Sequence, residues 1–377
     1  MRSTILTTAL LGTAAITMAL PANAQQIFSS WLEPNHVITR EAHMTWAEEL
    51  KEASNGELDF EIFVGGSLIP AQSTMQGVAD GLAQGGFHTA TYTPSDLPVS
   101  NALADMGFIT PDAFLMAFAF SDFMMNDSAG IADWRDNGVI FGGGYSVPEY
   151  SFICRQPVST LADMQGLRVR MPGGGWARFG QAIGVVGVNV PSNEIYTAFE
   201  RGSVDCTASD TSHLTGGATL MEVTGGVTTL AMSPFYAGGT WIWNPDFWES
   251  LTPEQRRTIF DVSARAMARL QVAYDREARE ARELGAERGI PIIEPDETLQ
   301  AAYDKWVEEG VGDMVGIART THGIDDPEAL FASFEPYIEK WQGLLAELDQ
   351  PYTEDALYDL LQAHLYGPLD ENSWGLQ

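Results

Sequence analysis

Positive charge is scarce in this 377-residue chain: 20 Lys and Arg stand against 51 Asp and Glu, a formal net charge of −31 at pH 7. A field of that sign repels polyanions, which argues against nucleic acid and anionic membrane surfaces as partners. Catalytic signatures are missing too. No H-E-x-x-H, G-x-S-x-G, G-x-x-x-x-G-K-[ST] or C-x-x-C occurs, so an enzymatic role has no motif behind it and no cofactor or metal is expected. Gly142-Gly143-Gly144 and Gly173-Gly174-Gly175 have the glycine of a phosphate loop without its full pattern, because Val147 and Arg178 fill the last place of G-x-G-x-x-G. Histidine is limited to six residues. His36 and His43, seven apart, can share a helix face, where a solvated or capping role is expected rather than a metal pair. The two cysteines, Cys154 and Cys206, read either as a disulfide or as buried thiols on neighbouring strands, and spacing does not choose.

Long apolar runs are confined to the N-terminus. Met1-Arg2, an uncharged stretch from Ile5 to Leu20, and Ala22-Asn23-Ala24 before Gln25 read as a cleavable export signal over 1–24. Phe114 to Phe120 is apolar but bracketed by Pro111, Asp112 and Asp122, which fits a buried core helix and is too short for a membrane span. What remains is long enough for two domains.

The chain then alternates strand and helix. Ile27–Trp31, Leu58–Val64 and Phe87–Tyr92 read as strands, with helices over about Val37–Ala53 and Ala71–Gln84 between them. This β-α-β order predicts α/β layers. A weak echo of helix, glycine and strand ends in Thr91-Tyr92-Thr93 and again in Ser209-Asp210-Thr211, placing both polar segments at one cleft if two such domains face each other. Further on, Thr252-Pro253-Glu254-Gln255 is a capping box with proline at N1. The helix it opens runs to Gly289, about 36 residues or roughly 54 Å. That exceeds one domain, so it should cross between lobes. Ile290–Glu294 reads as a strand, and the remainder as helical.

Leu161 to Asp205 is the most informative stretch. Arg170 ends a short apolar strand, with Pro172 and three glycines behind it. A guanidinium fixed there suits bidentate capture of a carboxylate, the alternative being an ordinary surface arginine. The wording D-x-x-G-L-R-x-R-x-P, followed by G-V-x-V-P-x-x-E-x-Y-x-A-x-x-x-G-x-V-D, resembles the signature of the DctP-type solute-binding proteins of TRAP (tripartite ATP-independent periplasmic) transporters, over about Gln26 to Leu344. The resemblance implies a two-lobed α/β periplasmic binding protein with hinge strands and a lobe-spanning helix. Lobe I would take residues 25–147 and about 237–272, and lobe II 148–236 and about 273–335. A C-terminal helical extension over 336–377 would pack on the back of a lobe or form a dimer contact. The implied function is periplasmic capture of a small organic carboxylate, a 2-oxo or hydroxy acid or a dicarboxylate. The implied partners are the small and large integral membrane subunits of the transporter. A receptor for another importer class, such as an ATP-driven one, or a secreted cleft enzyme are the alternatives.

The resemblance assigns the carboxylate grip to Arg170 rather than Arg168, and a polar contact to Ser209 or Asp210. Asp210 would repel a carboxylate unless a cation, hydroxyl or amine meets it. The glycines after the arginine strand are similar to those of the branch that binds 2-oxo acids with a cation, but Ala208 stands where that branch has its acidic metal ligand, so no metal is carried over. Trp31, Tyr92, Trp176 and Tyr236 lie near predicted strand ends or loops, as candidate walls of the cleft. Asn35, with His36, closes the first β-α turn, and Tyr150, with Glu149, lies on the crossing into the second lobe. Trp243 and Trp248 are assigned to packing.

Overall fold

The computed structural model describes residues 25–310 and 313–376. The predicted export signal lies outside them. A first sheet takes β1 (Gln26–Ser29), β2 (Phe60–Phe63), β3 (Gly85–Thr89) and β4 (Ile140–Gly144). The chain then crosses to a second sheet and lays down β5 (Tyr150–Cys154), β6 (Arg168–Arg170), β7 (Val186–Val188), β8 (Cys206–Ser209) and β9 (Gly226–Met232). It returns to the first sheet for β10 (Gly238–Trp243) and ends in the second with β11 (Ile292–Ile293). The strand orders are β2-β1-β3-β10-β4 and β11-β9-β5-β8-β6-β7. In each sheet the strands flanking the crossings pair antiparallel while the β-α-β strands pair parallel. The result is a two-lobed α/β fold joined through 145–149 and 233–237.

An aromatic cluster fills the first lobe. Phe28, Trp46, Phe60, Trp243 and Trp248 are buried, with ring centroids 5.3–5.9 Å apart in successive pairs. A fully buried side chain such as Phe28 contributes roughly 1.5–3 kcal/mol. The apolar helix Ala113–Asn126 lies almost wholly inside, because neither face carries enough polarity to meet water.

The long helix is Pro253–Glu287, 35 residues and roughly 52 Å. Thr252 and Gln255 form the reciprocal capping box. Its first half packs on lobe I, where Ser263 accepts from the Trp46 indole at 3.1 Å. Its second half meets lobe II, where the Ala278 carbonyl accepts from Thr211 at 2.5 Å.

Three local expectations change. The helix expected over Ala71–Gln84 is confined to Thr74–Ala79 after a 3₁₀ turn; Gly81, at φ +76°, leaves the right-handed region and ends it. The helix beginning at Val37 contains a π-turn over Thr39–Met44. Neither His36 nor His43 is solvated, at 4 % and 0 % exposed: His36 takes the capping role, its Nδ1 accepting from the Ile38 N–H at 3.2 Å, while His43 packs on Phe28 and Phe87 at 4.9 and 5.5 Å. Cys154 and Cys206 are register partners on antiparallel β5 and β8 and form a disulfide.

The tail lies across the back of lobe I. The Tyr366 hydroxyl donates to the Gly142 carbonyl at 3.2 Å, the Trp374 indole to Met125 at 3.0 Å, and Arg257 ion-pairs with Glu371 at 2.7 Å.

Candidate functional site

Beyond the carboxyl ends of β1, β3, β6 and β8 a small cavity lies between the two lobes, where open α/β sheets place their ligands.

Arg170, the last residue of β6, is 2 % exposed and lines it. Its side chain is held from two sides: Nε donates to the Val190 carbonyl at 3.2 Å, and Nη1 donates to the Ala208 carbonyl at 3.1 Å and reaches the Ser209 hydroxyl at 3.5 Å. Strand pairing of Arg170 with Thr207 sets that reach. Among the described residues none of these partners is a carboxylate. A buried guanidinium whose direct partners are all neutral oxygens costs several kcal/mol, which a bidentate anion offsets. Arg168, two residues earlier, is different: it is half-exposed and its fork is taken by Asp205, at 2.6 and 2.9 Å.

Asp210 follows β8 and is fully buried. Its Oδ1 accepts from the Ser212 backbone N–H at 3.0 Å and from the Ser212 hydroxyl. Its Oδ2 has no hydrogen-bond partner among the described residues, and His213 Nε2 stands 3.9 Å away. Two histidines border the cavity. Nδ1 of His36 accepts from Ile38 at 3.2 Å and Nδ1 of His213 from Ala218 at 3.3 Å, so each carries its proton on Nε2 as a donor. Burial holds both below the ordinary histidine range, His36 well below, with Asp210 opposing the shift at His213. Both are therefore neutral near pH 7. Burial likewise raises Tyr145, Tyr150 and Tyr274 above the ordinary phenol range, against the pull of Arg170 at Tyr150. They remain neutral hydroxyls.

Trp31 and Tyr92 form one wall, ring to ring at 5.2 Å, and the Trp31 indole N–H is buried without a partner among the described residues. Tyr150 lines the cavity from the crossing into lobe II. Ser209 sits behind Arg170 as its support. Other candidates fall elsewhere. Tyr236 is buried in packing, its hydroxyl donating to Leu103 at 2.5 Å. Trp176 lies between Phe108 and Tyr150, each at 4.8 Å. Both border a separate cavity behind Pro172 and Phe235. Asn35 is exposed and lines neither cavity, while its neighbour His36 turns inward. Glu149 faces a groove on the outer side of the crossing.

His213, Tyr145 and Tyr274 were not among the candidates. His213 carries a local signal, three residues after Asp210 in the same turn. Tyr274 is placed only by the crossing of the long helix behind the site.

Two further contacts join the lobes, one at the cavity wall and one away from it. The Ser192 N–H donates to the Tyr92 hydroxyl at 3.1 Å, and Arg178 ion-pairs with Asp105. Burial pushes the Asp105 carboxyl up and Arg178 pulls it back.

The model of the DctP family, bacterial extracellular solute-binding protein family 7, matches residues 28–314. A monocarboxylate 2-oxoacid-binding periplasmic protein of Nostoc is 28 % identical over 201 residues, 51 % of this chain and 52 % of that protein; the chain thus spans about half the length of this curated relative. A TRAP periplasmic solute-binding protein of Bordetella bronchiseptica, solved with (R)- and (S)-mandelate, superposes with a TM-score of 0.71 at 22 % identity, covering 84 % of this chain and 99 % of that one. A marine-metagenome TRAP solute-binding protein specific for aromatic acids, in complex with metahydroxyphenylacetate, gives 0.73 at 20 % identity, over 84 % and 98 %.

Proposed function

Because the chain belongs to family 7 of the bacterial extracellular solute-binding proteins, we propose that it captures a small organic carboxylate on Arg170 and delivers it to the small and large membrane subunits of a TRAP transporter. The observation that carries this reading is a buried guanidinium with no carboxylate partner among the described residues, facing a cavity between two lobes. The relatives' acids, 2-oxo acids, mandelate and metahydroxyphenylacetate, supply the carboxylate class. As a binding protein it changes no bond in its ligand. Lobe I would close on lobe II about 145–149 and 233–237, where the chain changes sheet, with lobe boundaries near 147 and 236. Export would remove residues 1–24 and leave the receptor in the periplasm. The net charge of −31 opposes an anion at long range, so capture relies on Arg170, the Nε2–H donors and the phenols at short range, and is helped by salt screening.

The test is a thermal-shift screen of the chain from Gln25 to Gln377, unfolded and refolded to strip carried-over ligand, against small organic acids. A ligand at about a thousand times its dissociation constant adds roughly 4 kcal/mol. A stabilising acid whose effect is lost in Arg170→Ala supports the reading. Hits confined to sugars or amines, indifferent to Arg170, would overturn it.

A further inference from the structure

We infer that the site selects acids bearing a hydrogen-bond donor, a hydroxyl or N–H, on the carbon next to the carboxylate, and that Asp210 is the selecting residue. The inference rests on carboxylate capture by Arg170. Asp210 is fully buried and lines the same cavity, yet only one of its oxygens is used: Ser212 takes Oδ1, and Oδ2 has no partner among the described residues. His213 Nε2, at 3.9 Å from Oδ2, is beyond hydrogen-bond reach. Asp210 also stands immediately after Ser209, whose hydroxyl touches Arg170 Nη1. An acid seated on the guanidinium therefore shares its cavity with an unsatisfied acceptor.

That placement discriminates among acids by elementary chemistry. A 2-hydroxy acid donates its O–H to Oδ2 and a 2-amino acid its ammonium. An unsubstituted acid leaves Oδ2 buried and unpaired. A 2-oxo acid does worse, since it turns a carbonyl acceptor toward a carboxylate acceptor. A second carboxylate brings like charge against Asp210. Sites with buried polar groups reject analogues lacking the matching group for this reason. The Nε2–H donors of His36 and His213 and the neutral phenols then remain for the ligand's own oxygens.

The experiment is calorimetric titration of the full mature chain, with EDTA present, against lactate, alanine, pyruvate and propionate, and in a larger series mandelate, phenylglyoxylate and phenylacetate. The donor-bearing member of a series should bind roughly 10- to 100-fold tighter than its oxo and unsubstituted counterparts. Asp210→Asn keeps an oxygen for Ser212 and offers an amide N–H at the other position, so it should collapse or invert the hydroxy-over-oxo preference. Acids that bind through Arg170 without preference, or a preference unchanged in Asp210→Asn, would overturn the inference and leave carboxylate capture standing. Oxo acids that bind best once EDTA is replaced by a divalent cation would also overturn it, making Oδ2 a cation ligand. No binding by any acid would fall on carboxylate capture itself. The wild-type panel alone decides the preference if Asp210→Asn does not fold.

Discussion

Acid should weaken this protein through histidines that are buried neutral. His43 and His88 have no exposure, and burial lowers each to about 3. In the unfolded chain both titrate near 6.5. Below that pH the unfolded state binds protons that the native state does not, so stability present above pH 6.5 is lost as pH falls toward 3. The slope is about 1.4 kcal/mol per pH unit for each group, and at pH 5 the pair costs about 4 kcal/mol. Asp133 opposes them. It accepts from Val99 and Ser100 at the start of the helix Pro98–Ala104, yet burial raises it to about 6. Its native form therefore holds a proton while the unfolded form does not, down to the ordinary aspartate range. At pH 5 that restores roughly 1.4 kcal/mol. The three groups together predict a loss of about 3 kcal/mol between pH 7.5 and 5.0, and His36 and His213 push the same way. Urea denaturation at the two pH values measures it. His43→Leu replaces one titrating ring, packed between Phe28 and Phe87, with an apolar group. Whatever it costs in packing is the same at both pH values, and the acid loss should shrink by about 2 kcal/mol. A variant as acid-sensitive as the wild type would refute the reasoning.

Other perturbations have equally definite outcomes. Arg170→Lys should weaken acid binding by roughly tenfold or more, because one ammonium cannot reproduce the fork; unchanged affinity by calorimetry would count against the grip. Replacing Cys154 and Cys206 by alanine opens a loop with a sequence separation of 52 and should cost about 2–4 kcal/mol in denaturant unfolding. A stability indistinguishable from the wild type would mean that the strands hold their register unaided. Arg178→Ala leaves Asp105 buried without its partner and should lower affinity by about tenfold, ~1.4 kcal/mol, with no change in the order of preferred acids; a reordered preference would place Arg178 in the selecting site.

What could be read from the sequence was local chemistry. The Thr252–Gln255 box and the long helix it opens depend on neighbours three residues apart, and so does the strand end that carries Arg170. The alternation of strand and helix likewise follows from short-range pattern. Convergence was not legible. Tyr274 counts as one more apolar position on a helix stripe until the helix passes behind the cavity, and Tyr236 as a strand-end aromatic until its hydroxyl meets Leu103. The π-turn over Thr39–Met44 turns His43 into the core, and no composition signal marks it. The disulfide needed the β5–β8 register, which is a property of the assembled sheet. Asp210 was visible as a charge in the wrong place for an anion site; its free oxygen was not.

The Tyr92–Ser192 hydrogen bond and the Arg178–Asp105 ion pair are made by protein alone. If the lobes close on an acid as proposed, these contacts would favour the closed arrangement whichever acid is bound, and so set part of the fraction of molecules that are closed before any acid arrives. The measured dissociation constant is the intrinsic one divided by that fraction. Tightness and choice would thereby be lodged in different residues. On the proposed reading, substitutions at Asp105 or Arg178 should rescale affinity for every acid by one factor, while those at Asp210 should reorder the acids. A lineage facing richer or poorer surroundings can tune how avidly it scavenges without relearning what to take.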